Sequence, residues 1–212
     1  LLNAQLLHLA WKGLNKSAAI ADDEITVKEY GAELNTNLEA LVERLKQKRY
    51  RTKLIKRRYI PKQNGKKRPL GIPALEDKIV QKAAAMILTA IYEQDFLDCS
   101  YGYRLGKGAK DAVSDLVFQL QYGVFGYIVE ADIKGYFDNI AHDKLLAMLE
   151  KRINDRAFMW LITKWLKAGI LEPDGYVNHP VTGTPQGGIV SPILSNLYLH
   201  IVLDEWFEEE VK

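Results

Sequence analysis

A chain of 212 residues, 48% hydrophobic and 26% charged, can bury about 70% of its unfolded surface as one large domain or two small ones. It has no apolar run of the ~18 residues that a membrane span requires. A single cysteine, Cys99, excludes an internal disulfide, and His8, His142, His179 and His200 lack zinc-ligand spacing.

No signal-peptide pattern opens the chain, so a cytoplasmic location is expected, and the missing initiator Met reads as a fragment. Thr26 and Glu29 form a capping box, and Tyr30, Leu34, Leu38, Leu41 and Leu45 follow at helical spacing. That helix opens into a basic run. From Arg44 to Arg68 there are 13 Lys or Arg and no acid, which leaves the rest of the chain at −11 against an overall +2. Arg44, Lys46, Lys48, Arg49, Arg51, Lys53, Lys56, Arg57 and Arg58 carry its first part. They are interleaved with Leu54, Ile55, Tyr59 and Ile60, which read as strand. A folded basic surface attracts polyanions, so these residues are the candidate nucleic-acid contacts.

The stretch LIKRRYIPKQNGKKRPLGIP predicts two strands turning at Asn64-Gly65, with Pro61 and Pro69 favouring edge positions. Helices are predicted over about 75–96 and 109–120, the second with Ala112, Val113, Leu116, Val117 and Leu120 on its apolar side. In YIVEADIKGYFDNI, residues 127–140, a strand would put Ile128, Glu130 and Asp132 on one face. An acid at a strand's C-terminal end, just before Gly135, projects into a crevice. An isolated Asp there equally serves to cap the next turn, and one carboxylate cannot hold a magnesium pair.

Helices follow from Asp138 or Asn139 through Leu149, and from Asn154 or Asp155 through Trp165. EPDGY is a turn between short strands, and Ser191-Pro192 opens a last long helix. Ahead of it, TGTPQGGIVSP concentrates three glycines and Gln186, which lets backbone approach a base or phosphate. Strands and helices mix without regular alternation, so the fold class is α+β.

Five blocks, RRYIPKQNGKKRPLGIPALEDKIVQ, SYGYR, EADIKGYFDNIAHDKLL, KWLKAGILE and GTPQGGIVSPILSNLYLH, occur in an order that resembles the reverse transcriptases encoded by group II introns, the maturase family. The resemblance implies a right-hand polymerase of mixed helices and antiparallel sheet: fingers at 1–125 with an N-terminal helical extension, and an incomplete palm at 126–212 with a fingers-side insertion at about 150–180. It implies that Asp132 and the Ile133 carbonyl bind magnesium and that Phe137 is a steric gate against a 2′-hydroxyl. Lys62 and Arg68 would clamp the triphosphate, and Gln186 would pack near the nucleotide sugar and templating base.

Asp138 reads as a helix cap or salt-bridge partner. The implied partners are an RNA template, intron RNA among the candidates, a DNA or RNA primer, and deoxynucleoside triphosphates, with no membrane and the oligomeric state open. Two departures stand out. NKSAAIADDEIT replaces a glycine-rich stretch of the family, and the Tyr-Ala-Asp-Asp sequence is absent, so this stretch alone is expected to be inactive. The rival reading is a non-catalytic RNA-binding splicing factor of maturase type.

Overall fold

The computed structural model describes residues 2–16, 21, 25–61 and 65–211. Helix α1 (Ala4–Lys12) is capped by Asn3, whose side chain accepts from the Leu6 amide at 2.9 Å. The Thr26–Glu29 capping box forms as read, but the helix it opens is two helices, α2 (Val27–Ala32) and α3 (Leu34–Lys46). At Glu33 the backbone leaves the helical region (φ −122°, ψ 43°), and the Asn37 side-chain Nδ2 donates to the Tyr30 carbonyl at 3.0 Å.

Strands β1 (Ile55–Pro61) and β2 (Lys67–Ile72) pair antiparallel, with Pro61 opposite Lys67 and Lys56 opposite Ile72. Lys62 and Asn64 of the expected turn lie outside the described residues, and Gly65 takes a left-handed φ of 75°. Helix α4 (Leu75–Tyr92) follows, then α5 (Ala109–Tyr122), α6 (Tyr136–Asn139), α7 (His142–Glu150) and α8 (Arg156–Leu166). Asp155 caps α8 by accepting from the Ala157 and Phe158 amides at 2.9 and 3.1 Å. Short strands β3 (Ile170–Leu171) and β4 (Val177–Asn178) flank the EPDGY turn, whose Gly175 has φ 88°.

The four strands run β2-β1-β3-β4, so Pro69 does sit on an edge strand. The sheet is not wholly antiparallel, because β1 and β3 pair in parallel through Ile55–Ile170 and Lys56–Leu171. That short pairing depends on Gly169, whose carbonyl accepts from the Ile55 amide at 2.9 Å and whose added Cβ would meet Leu54 at 2.8 Å. Helix α9 (Ser191–Leu199) has Val190, not Ser191, at its N-cap, since the Ser191 hydroxyl donates to the Pro185 carbonyl at 2.9 Å. The chain continues through π-type turns over His200–Asp204 and Phe207–Val211.

One apolar cluster joins Leu7 of α1, Leu41 of α3, Ile79 and Ala83 of α4, Leu145 of α7, Ile162 and Trp165 of α8 and Leu194 of α9. Two sequence expectations fail outside it. Helix α5 forms but buries none of its residues; Val113, Leu116 and Val117 are exposed. Residues 127–133 form no strand, and Tyr127 and Val129 are more than 90% exposed. A strand needs a neighbour to take its amide and carbonyl groups, and among the described residues none runs alongside this one.

Candidate functional site

The loop over residues 182–190 is bonded to four elements at once, α6, α7, β2 and α4. Toward α6, Thr184 donates its amide to the Phe137 carbonyl at 2.7 Å, Gly183 donates to the Ile140 carbonyl at 2.8 Å, and the Thr182 hydroxyl donates to the Asp138 carbonyl at 3.1 Å. The buried His142 ring meets the Gly183 carbonyl at 2.6 Å. Toward β2, the Gly71 amide donates to the Gln186 carbonyl at 2.5 Å. Toward α4, the Gln81 side chain accepts from the Ile189 amide at 2.9 Å.

Glycine is required at two of these positions. Gly183 has φ 84°, and a Cβ there would lie 2.7 Å from the Phe137 carbonyl oxygen. Gly187 has φ 109°, and a Cβ there would collide with the Gly71 carbonyl oxygen.

This packing gathers three of the candidate residues. Phe137 is half-buried, with its ring edge-on to Tyr136 at 5.5 Å between centroids. Gln186 accepts at Oε1 from Arg68 Nε at 3.4 Å. Gln186 also lines a cavity of about 310 Å³, together with Arg57, Asp138, His179 and Thr182 among others.

Asp132 and Ile133 stand apart in the exposed 127–133 segment, ahead of the left-handed Gly135 (φ 63°). Asp132 offers one hard oxygen donor, but among the described residues no group of three or more His, Cys, Asp or Glu could enclose a metal ion. The donor set present therefore does not complete a magnesium site, which needs several oxygens. Lys62 lies outside the described residues. Asp138 is exposed at the start of α6, and its amide donates to the Gly135 carbonyl at 3.0 Å.

The basic run is on the surface, but its charges are not equivalent. Arg44 makes a forked contact with Glu76 at 3.0 and 2.6 Å, and Arg57 pairs with Glu172 at 3.1 Å. Glu172 also accepts from the Tyr59 hydroxyl at 2.9 Å, tying β1 to the turn between β3 and β4. Lys46, Lys48, Arg49, Arg51, Lys53 and Arg58 are exposed, and Lys56 is half-buried.

Sequence reasoning missed Asp77, a carboxylate 2% exposed in the first turn of α4. It accepts from the Tyr50 hydroxyl, from Thr52 Oγ1 at 3.1 Å and from the Lys53 amide at 2.9 Å. Burial pushes its carboxyl above the ordinary value, opposed by the three hydrogen bonds. It also missed Arg104 of the SYGYR block. That guanidinium is nearly buried and holds Glu93 at 2.9 and 2.7 Å and the Leu97 and Ser100 carbonyls at 2.5 and 2.9 Å, which makes it the knot of its loop.

Residues 60–211 match the family described as Reverse transcriptase (RNA-dependent DNA polymerase). The chain belongs to the reverse transcriptase family. Among relatives in this family, it is 40% identical over 206 residues to the Group II intron-encoded protein LtrA of Lactococcus lactis subsp. cremoris, covering 94% of this chain and 33% of that protein. It is 39% identical over 181 residues to Protein YkfC of Escherichia coli K12, covering 84% and 47%. The chain thus spans about a third to a half of the length of these relatives. Among solved structures, a chain of a Partial Cas6-RT-Cas1--Cas2 complex superposes with a TM-score of 0.60 at 24% identity, covering 98% of this chain and 34% of that one. That likeness is one of fold, and it agrees with the α+β class.

Proposed function

We propose that this chain is the fingers (1–125) and part of the palm (126–212, with an insertion at about 150–180) of an RNA-directed DNA polymerase of the group II intron type, acting in the cytoplasm. The observation that carries the reading is the convergence of Phe137, Arg68 and Gln186 through one glycine-rich loop. The Phe137 backbone is held by Thr184, so its ring has a fixed station against an incoming sugar, where it would exclude a 2′-hydroxyl. Gln186 is steadied by Arg68 and packs beside that sugar and the templating base. Arg68 retains guanidinium nitrogens for a forked contact to phosphate, and Lys62 would add a point charge.

The partners on this reading are an RNA template, a primer and deoxynucleoside triphosphates. The exposed cations of the basic run guide the template. Asp132 and the Ile133 carbonyl would supply ligands to a magnesium site that the described residues do not complete.

The test is Phe137→Ala in the intact polymerase carrying these residues, comparing primer extension with dGTP and GTP on an RNA template. Use of GTP relative to dGTP should rise roughly tenfold or more, a selectivity change of at least about 1.4 kcal/mol. An unchanged preference overturns the assignment of the gate. Template binding with no extension by the unaltered polymerase would favour the RNA-binding splicing factor.

A further inference from the structure

A second cavity, of about 380 Å³, lies between the ends of α1, α3 and α8 and shares no residue with the one beside Gln186. Its size is in the range of small-ligand pockets. Leu45, Trp160 and Leu161 make its apolar part, and Lys46, Lys48 and Arg156 stand on its rim. Among the described residues none of these three cations forms an ion pair. Asp155, the acid at the rim, is engaged by the Ala157 and Phe158 amides at the start of α8. The rim is therefore net positive around an apolar floor.

Trp160 is the feature that selects an occupant. It is 37% exposed, although α8 turns its other large apolar residues inward. The Lys164 ammonium lies 3.5 Å from the centre of its ring and donates to the Tyr50 carbonyl at 3.0 Å, which fixes the indole against the basic 46–51 segment. A ligand that fits must present a flat, weakly polar body to Trp160 and Leu45 and negative charge to the rim. A carboxylate side chain would bring its charge onto the apolar floor and lose hydration there. A nucleobase keeps its charge outside, on the phosphates to either side, and stacks on aromatic rings.

We propose that this cavity receives one unpaired base of a bound RNA, with the flanking phosphates on Lys46, Lys48 and Arg156. The site anchors RNA away from the cavity lined by Gln186, and it rests on the reading above only in taking RNA as the partner.

The experiment compares two hairpin RNAs on the 212-residue chain, identical except that one carries a single bulged 2-aminopurine and the other is fully paired. The bulged RNA should bind about 5- to 150-fold tighter, the range of one base stacked on an aromatic ring, with quenching of the 2-aminopurine emission. Trp160→Ala should abolish both the preference and the quenching, and Trp160→Phe should keep most of the preference, with far-UV circular dichroism unchanged in both. Equal affinity for the two hairpins, a preference that survives Trp160→Ala, or displacement of the bulged RNA by polyglutamate as readily as by a second RNA each overturns the proposal. Failure to bind either hairpin would remove the RNA partner as well, whereas binding without preference removes this site alone.

Discussion

At Asp77 a carboxylate is held almost out of water by donors 24 to 27 residues away in sequence. Asp77→Ala leaves the Thr52 hydroxyl and the Lys53 amide to find water, and it frees the turn that leads into β1. A loss of roughly 2–3 kcal/mol in urea unfolding is expected, from one or two donors left unsatisfied. The pH dependence has a definite sign. The Asp77 carboxyl is raised above its ordinary value of 3.8, so just above that pH the folded chain keeps a proton that the unfolded chain has released. Its contribution to stability therefore falls as pH rises from 3.8 through the folded value. Unfolding titrations of Asp77→Asn should lack this component, and an unchanged slope in that window would remove Asp77 as its source. Nothing local in LEDKIVQ distinguishes Asp77 from Glu76, because burial of a first-turn acid depends on what a distant segment donates to it.

Among the elements, the 182–190 loop does the joining, and Gly187 sits at its closest approach to β2. Gly187→Ala adds backbone strain at φ 109° and drives a methyl into the Gly71 carbonyl. A cost of about 2–3 kcal/mol is expected, with amide exchange at Gly71 speeding up by more than tenfold as its bond to Gln186 weakens. Wild-type exchange in that variant would show that the loop and the strand are not coupled. Elements with their own start signals and a buried stripe were legible in the sequence. Asp155 caps α8, and Phe158, Leu161, Ile162 and Trp165 turn inward as their spacing predicts. The break between α2 and α3 was not legible, since it rests on Asn37 reaching back to the Tyr30 carbonyl. Residues 127–133 have the alternation of a strand, but alternation states which faces would be covered and cannot supply the neighbour that covers them.

For the molecule as a whole, charge is segregated and so is apolar exposure. Five neutralised phosphates would give a slope of log affinity for single-stranded RNA against log salt of about −3 to −4. Arg58→Ala should flatten that slope by about 0.7, whereas Arg57→Ala should flatten it less, because Glu172 already offsets Arg57. Filter binding across a salt series checks both, and a salt-independent affinity would refute the electrostatic role of the run. The positive face was legible because charge can be counted. The partition between cations tied into the fold and those left for a partner was not, since Glu76 and Glu172 lie outside the run. Helix α5 shows the same limit, since its 3.6-residue apolar period is genuine while its burial depends on other parts of the molecule.

At its root the β1–β2 hairpin is fastened by the Gly71–Gln186 bond on one side and by Gly169 and Glu172 on the other, and farther out it is held by the Tyr59–Glu172 and Arg68–Gln186 hydrogen bonds. From Ile55 to Pro61 it is a cantilever of about 20 Å, at ~3.3 Å per residue. Its elastic displacement is concentrated at the free end, where a tilt of about 10° at the root would carry Pro61 and Lys67 through about 3.5 Å, since arc length is arm length times angle. Arg68, one residue from that end, swings on nearly the full radius, whereas Gln186 at the pivot hardly moves. The hydrogen bond between them at 3.4 Å thus joins the fastest-moving part of the lever to its bearing, and it is the first contact to lengthen when the arm tilts outward.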